Sequence, residues 1–285
     1  MRVGWIGTGV MGAAMCAHLV EAGHEVTLTS RTKSKAAALI ESGAAWAESP
    51  AEVAASSQVV FTMVGYPEEV REVTLGADGV LQTASPGSIV VDLTTSLPSL
   101  AVEIAEAASR IGVRALDAPV TGGDVGAQDG SLSVMVGGEA DVFEEVRPLL
   151  EAMGSTIVYQ GRHGAGQHAK IVNQILIAGT MIGLGEAMAY AKHADLDMEK
   201  ILPVVRHGAA GSWSLEHYAP RILAGDFAPG FYVNHIVKDL GIALAEAADI
   251  GLDMPGTTLA EKLYSTLQAR GEGENGTQSI VHLYD

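Results

Sequence analysis

The sequence predicts an α/β fold, a doubly wound parallel sheet domain followed by an all-α domain. In the first half, short runs rich in Val and Ile alternate with helical patterns. A glycine turn follows the first run directly, and beyond residue 164 only helical periodicity remains. Of the 285 residues 48% are hydrophobic and 18% charged, so two domains with a large buried core are expected.

The candidate strands are Arg2–Ile6, Glu25–Thr29, Val59–Val64, Ser88–Leu93 and Arg114–Ala118. They show little polar alternation, which indicates parallel strands buried on both faces under helices. Two later runs, Leu132–Val136 and Thr156–Tyr159, flank a helical stretch, Ala140–Met153, and are expected to extend the same sheet. After Gly161-Arg162-His163-Gly164 the rhythm changes, and Gln167–His193 reads as one long helix. The boundary is placed there, giving domains 1–162 and 163–285. Met198–His207, Ser214–Leu223, His235–Ile250 and Thr257–Arg270 follow as helices punctuated by Pro203, Pro220, Pro229 and Pro255. Gly271–Gly276 reads as a flexible surface loop.

The net charge of −17 repels phosphate backbones and anionic membrane surfaces, so neither nucleic acid nor a membrane is an expected partner. The most apolar long stretch, Ile171–Ala191, is interrupted by Asn173, Gln174, Thr180 and Glu186 and reads as a buried helix of a soluble protein. The apolar run at the N-terminus is too short for a signal peptide, and Cys16 has no second cysteine to pair with; both fit a cytoplasmic protein. Cys16 is expected in the core. None of the nine histidines stands in a metal-binding spacing, and no G-x-S-x-G occurs, so neither a metal site nor a serine hydrolase is expected. Trp213 and Tyr218 could wall a substrate pocket, although aromatic residues in a helical domain more often serve packing.

Gly7-Thr8-Gly9-Val10-Met11-Gly12 comes directly after the first strand and opens a helix over Ala13–Ala22. In such a turn the first glycine permits the bend, the second lets a pyrophosphate approach the backbone, and the third lets helix pack on strand. Gly7, Gly9, Val10, Met11 and Gly12 are therefore candidate dinucleotide contacts in a Rossmann-type domain. At the end of the second strand an acid would accept a ribose 2′-hydroxyl and repel a 2′-phosphate. Here the chain reads Ser30-Arg31-Thr32-Lys33-Ser34-Lys35, with no acid between Glu25 and Glu41. Arg31 can pair with phosphate while Ser30 and Thr32 supply hydroxyls, which favours NADP with NAD possible. A solvated helix start remains the alternative reading of Arg31, Lys33 and Lys35.

Two further motifs lie outside the glycine turn. Asp117-Ala118-Pro119-Val120-Thr121-Gly122-Gly123 follows a strand, where the Thr121 hydroxyl and the next N–H groups could grip a carboxylate. Spacing alone leaves a plain flexible loop equally open. Gly164–Gln174 opens the long helix, with Lys170 and Asn173 three apart and so on one face. Flanked by Ala169 and Ile171-Val172, the Lys170 amine is expected to be partly desolvated, which would lower its pKa from about 10.4 and suit proton transfer. A snorkelling lysine is the bland alternative.

In this order the motifs resemble the β-hydroxyacid dehydrogenase family, the group of 3-hydroxyisobutyrate dehydrogenases, tartronate semialdehyde reductases and glyoxylate/succinic semialdehyde reductases. The resemblance spans nearly the whole chain: Gly7–Gly12, Asp92-Leu93-Thr94-Thr95, Asp117–Gly123, Gly164–Asn173, and Phe231 followed by Lys238-Asp239-Leu240. It implies that Lys170 is the catalytic lysine, assisted by Asn173, and that Thr121, Gly122 and Gly123 bind the substrate carboxylate. It also implies Gln174, Phe231 and Asp239 as substrate contacts, Val64 and Gly65 as cofactor contacts, and Thr95 and Lys238 beside the nicotinamide. The family often carries paired asparagines three and four residues after the lysine. Here Gln174 takes the second place, one methylene longer, which implies an altered pocket.

The expected activity is hydride transfer between NADP(H) and a short 3-hydroxy acid/semialdehyde pair, as in a 3-hydroxyisobutyrate dehydrogenase. The sheet domain is expected to bind cofactor and the helical domain to close over substrate. The alternatives are a reductase of small aldehyde acids (glyoxylate, succinic semialdehyde or tartronate semialdehyde) and a dinucleotide-binding sensor without chemistry, which would need neither Lys170 nor the Thr121 loop. A small-molecule carboxylate is the expected partner. The resemblance also implies a homodimer or homotetramer, and Gly179, Gly183 and Gly185 in the long helix would permit close helix packing.

Overall fold

A computed structural model describes residues 1–284. The chain forms two compact units, Met1–Lys170 and a second that begins at Ile171. The first contains β1 (Arg2–Ile6), α1 (Val10–Glu21), β2 (Glu25–Thr29), α2 (Ala37–Glu41), β3 (Ala45–Trp46), α3 (Pro50–Ala55), β4 (Val59–Thr62), α4 (Pro67–Leu75), β5 (Ile89–Asp92) and α5 (Pro98–Ser109). It continues through β6 (Arg114–Asp117), β7 (Val120–Thr121), α6 (Gly123–Gln128), β8 (Leu132–Gly138), α7 (Ala140–Glu151) and β9 (Gly154–Gly161). The 29-residue α8 (Ala165–His193) begins in this unit, and the boundary falls within it.

The sheet runs β3-β2-β1-β4-β5-β6-β8-β7, with β9 paired to β8. From β3 to β6 every pairing is parallel; β8 is antiparallel to β6 and β7 and parallel to β9. In β1, β2, β4, β5 and β6 both faces are largely buried, as the near-continuous apolar strands require, while β9 at the edge is mostly exposed. Val3, Trp5, Val59, Phe61, Ile89 and Val91 pack with Met15 and Leu19 of α1 and Phe143, Val146 and Leu150 of α7. Ile6, Val60 and Val90 turn to the other face, against Val53 of α3, Val70 of α4 and Leu100 and Ile104 of α5. Period-two alternation thus serves two cores, the hallmark of a doubly wound sheet. Cys16 is fully buried in the first core, and burial pushes its thiol up to about 12. Proline at the first helical position starts α3, α4 and α5, where its missing N–H costs nothing.

The second unit contains the rest of α8, then α9 (Met198–Val205), α10 (Trp213–Leu223), α11 (Val233–Asp249) and α12 (Pro255–Leu267), and it closes with a 3-10 segment, Thr277–Tyr284. By length and composition α8 could cross a membrane. Its Ala178, Met181, Leu184, Met188 and Ala191, however, lie in a core with Leu215, Val233, Ile236, Leu240, Tyr264 and Ile280. Trp213, half exposed, stacks on His217 at 4.0 Å and meets Tyr218 edge-on at 5.5 Å, while Tyr218 lies in the helical core.

The segment 271–276 is not the free loop that its Gly, Glu and Asn content indicated. Gly273 O accepts from Asn234 N and Asn275 O from Val233 N, both at 2.9 Å, and Gly276 bridges Tyr232. These bonds satisfy the first N–H groups of α11, a demand of the helix that the loop's own composition does not reveal.

Candidate active site

The glycine turn is pinned on both sides. Gly7 N donates to Thr29 O at 3.0 Å, Met63 N donates to Ile6 O at 2.8 Å, and the Trp5 indole donates to Gly7 O at 2.8 Å. The three glycines have separate jobs. Gly7 has φ +98°, and a Cβ there would fall 2.1 Å from Met63 O; at Gly12 it would fall 2.2 Å from Gly7 O. Around Gly9 a Cβ would meet nothing within 4 Å. Gly9 N-caps α1 without a side-chain cap, no acid stands in the first turn, and the neighbouring Thr8 hydroxyl is buried without a hydrogen-bond partner. Open space, free helix N–H groups and an unsatisfied hydroxyl together fit the pyrophosphate of a dinucleotide.

At the end of β2, Ser30 Oγ accepts from Thr8 N at 3.3 Å, which ties that strand end to the turn. Arg31 and Thr32 are exposed. The expectation that no acid lies near Arg31 holds along the chain but not in space. Glu69 of α4 pairs with the Arg31 guanidinium at 2.6 Å, and its other oxygen accepts from Gly65 N at 2.8 Å. The available signal was a carboxylate in the first turn after Pro67, a place where helices hold acids that face back toward the preceding loop.

Beyond β4 and β5, Val64 N donates to the Thr94 hydroxyl at 3.0 Å, and Thr94 N donates to Asp92 Oδ1 at 3.0 Å. Thr95, next in line, is half-buried. The buried Gln167 side chain fixes this loop to α8: it donates to Thr94 O at 2.8 Å and accepts from Ser96 N at 2.9 Å. Asp117, the last residue of β6, accepts from Gly164 N at 2.8 Å and from Gln167 N at 3.0 Å. Burial pushes its carboxyl above the usual range, against the pull of those two N–H donors. A Cβ on Gly166 would fall 2.4 Å from Met135 O, so glycine alone lets the helix start lie this close to the strands. Neither Asp117 nor Gln167 was assigned this docking role from the sequence, because the bonds join segments far apart along the chain.

One turn past these anchors, Lys170 is 6% exposed. Burial is what the flanking Ala169 and Ile171-Val172 predicted. In the same unit, Thr121, Gly122 and Gly123 are half-buried after β7, with Gly122 and Gly123 at φ +131° and +66°, conformations that L side chains rarely adopt.

In the second unit, four side chains form a chain of contacts. Asn173 Nδ2 donates to Gln174 Oε1 at 2.7 Å, Gln174 Nε2 donates to Asp239 Oδ2, and Asp239 Oδ1 pairs with Lys238 Nζ at 3.0 Å. Gln174 and Asp239 are buried. The extra methylene of Gln174 thus carries an amide whose two ends are both spent on neighbouring side chains. Phe231 packs against the helical core.

Residues 2–161 match the family described as the NAD binding domain of 6-phosphogluconate dehydrogenase, and residues 164–284 match that described as NAD-binding of NADP-dependent 3-hydroxyisobutyrate dehydrogenase. The chain is 52% identical over 281 residues to "Probable 3-hydroxyisobutyrate dehydrogenase-like 1" of Arabidopsis thaliana, covering 98% of this chain and 84% of the plant protein. It is 51% identical over 282 residues to the oxidoreductase YkwC of Bacillus subtilis, covering 99% and 98%. A crystal structure of 3-hydroxyisobutyrate dehydrogenase from Salmonella typhimurium superposes with a TM-score of 0.92 at 30% identity, covering 99% of both chains. The chain belongs to the β-hydroxyacid dehydrogenase family and is an NAD(P)-dependent oxidoreductase acting on the CH–OH group of a hydroxy acid.

Proposed function

We propose that the protein interconverts a short 3-hydroxy acid, such as 3-hydroxyisobutyrate, and its semialdehyde, with NADP(H) preferred. The observation that carries this reading is the buried Lys170, placed one turn after α8 is bonded to the carboxyl ends of β5 and β6, the edge where such sheets bind ligands. The bound nicotinamide supplies or accepts the hydride. Lys170 takes the hydroxyl proton in the oxidative direction and returns it in the reductive one, with Asn173 orienting the oxygen or the amine. The Thr121 hydroxyl and the N–H groups of Gly122 and Gly123 hold the substrate carboxylate. Gln174, Phe231 and Asp239 contribute to substrate binding, and Lys238 and Thr95 stand beside the nicotinamide.

In this reading residues 1–162 bind the dinucleotide and 163–285 serve substrate and assembly. Gly7 and Gly12 shape the turn, the N–H groups of Gly9, Val10 and Met11 receive the pyrophosphate, and Val64 and Gly65 line the cofactor site. Initial rates for a panel of short hydroxy acids and semialdehydes with both cofactors test it. The highest kcat/KM should fall on a 3-hydroxy acid pair; a preference for glyoxylate, succinic semialdehyde or tartronate semialdehyde would replace the substrate named here.

Arg31, Ser30 and Thr32 favour the 2′-phosphate, so kcat/KM for NADPH should exceed that for NADH. Arg31→Asp should move the preference toward NADH, by removing a phosphate partner and adding a repelling charge. Equal values for both cofactors in the wild type would sink this assignment.

A homodimer or homotetramer is also proposed. Gly179 and Gly183 of α8 are exposed and face open space, on a stripe with the exposed Val172, Leu176 and Tyr190. Gly185 differs, since a Cβ there would meet Ile280 of its own unit at 3.0 Å. Light scattering at micromolar concentration should give a multiple of the chain mass; the mass of one chain would refute assembly.

A further inference from the structure

We infer that Glu69 limits how strongly the protein favours NADP(H) over NAD(H), by holding Arg31 in an ion pair that an incoming 2′-phosphate must break. The inference rests on the reading above that Arg31 receives that phosphate. The Arg31 side chain is 87% exposed and its guanidinium lies 2.6 Å from Glu69, whose side chain is only 22% exposed. The acid is the fixed partner. Its second oxygen accepts from Gly65 N at 2.8 Å, and it sits in the first turn of α4, where the helix dipole favours a carboxylate. Arginine, on a long exposed stem, is the partner free to move.

The placement matters because β2 and β4 flank β1 in the sheet. Glu69, from the helix after β4, therefore reaches across the β1 position to the end of β2, the strand end where the 2′-phosphate is proposed to sit. A cofactor with a 2′-hydroxyl leaves the Arg31–Glu69 pair intact. A cofactor with a 2′-phosphate draws the guanidinium away and forfeits that contact. Exposed ion pairs are weak, so the phosphate wins, but by a smaller margin than it would over an unengaged arginine.

Dissociation constants for NADPH and NADH, from quenching of protein fluorescence, are to be measured for the wild type, Glu69→Gln, Arg31→Gln and the double variant. Glutamine keeps an oxygen for Gly65 N–H, loses the charge and places an NH2 donor where Arg31 had an acceptor. Glu69→Gln should raise the preference, Kd for NADH over Kd for NADPH, by about two- to fivefold, the worth of one exposed ion pair. In the Arg31→Gln background the same change should leave the ratio unmoved within error. A ratio that is unchanged or lowered in Glu69→Gln, while Arg31→Gln lowers it, overturns the inference and leaves the role of Arg31 standing. Equal weakening of both cofactors would make Glu69 a cap of α4 and nothing more. A gain that persists in full without Arg31 would also overturn the ion-pair account. If Arg31→Gln leaves the wild-type ratio, the cofactor reading itself fails.

Discussion

Lys170→Met should lower kcat by about 10²–10⁴, the usual contribution of general acid–base catalysis, while folding and NADPH affinity stay near wild type. Oxidising a hydroxyl requires its proton to leave as hydride leaves carbon, so a base must stand at that oxygen. Lysine can reach the neutral form; guanidinium cannot at working pH, so Lys170→Arg should fail as well. Methionine matches the length of the lysine stem and suits a buried site, which separates loss of chemistry from loss of packing. The position of the amine is set by its helix. Asp117 and Gln167 fix the first turn of α8 to the ends of β6 and β5 through backbone N–H and carbonyl groups. Single-turnover rates and a thermal melt on each variant decide the matter. If Lys170→Met kept kcat within a few fold of wild type, the proton-transfer role would be wrong and Lys238 would be the next candidate.

Most of the sheet was legible because parallel strands buried on both faces must be nearly continuously apolar, as Val59–Phe61 and Ile89–Val91 are. The two-residue β3 and β7 were not, since so short a pairing leaves no periodicity to read. The glycine turn was legible for a different reason: steric demands on a backbone select glycine at fixed spacing, and the spacing survives in the sequence. The ion pair between Arg31 and Glu69 was not, because it joins two strand–helix units whose adjacency comes from the sheet order. Gln174 stands between these cases. Its departure from paired asparagines was visible, but only the fold shows that its amide bonds Asn173 on one side and Asp239 on the other.

Gly9→Ala and Gly12→Ala should separate binding from folding within one turn. At Gly9 the backbone is extended, at φ −69° and ψ −172°, a conformation alanine adopts freely, and its methyl would meet no protein atom within 4 Å. Stability should therefore stay close to wild type. The same methyl would occupy the space over the first N–H groups of α1, where the pyrophosphate must approach. Forcing an extra methyl into a fitted contact costs about 1–3 kcal/mol, which corresponds to about five- to 150-fold in Kd for NADPH and NADH alike. At Gly12 the clash is internal: the new Cβ would fall 2.2 Å from Gly7 O, a backbone atom that no side-chain rotation can move. That variant should lose about 1–3 kcal/mol of stability in urea denaturation before any cofactor is added. Fluorescence titration with NADPH beside a thermal melt reads both effects. Should Gly9→Ala bind NADPH as the wild type does, the pyrophosphate does not rest on this turn, and the cofactor site must be sought elsewhere on the sheet's carboxyl edge.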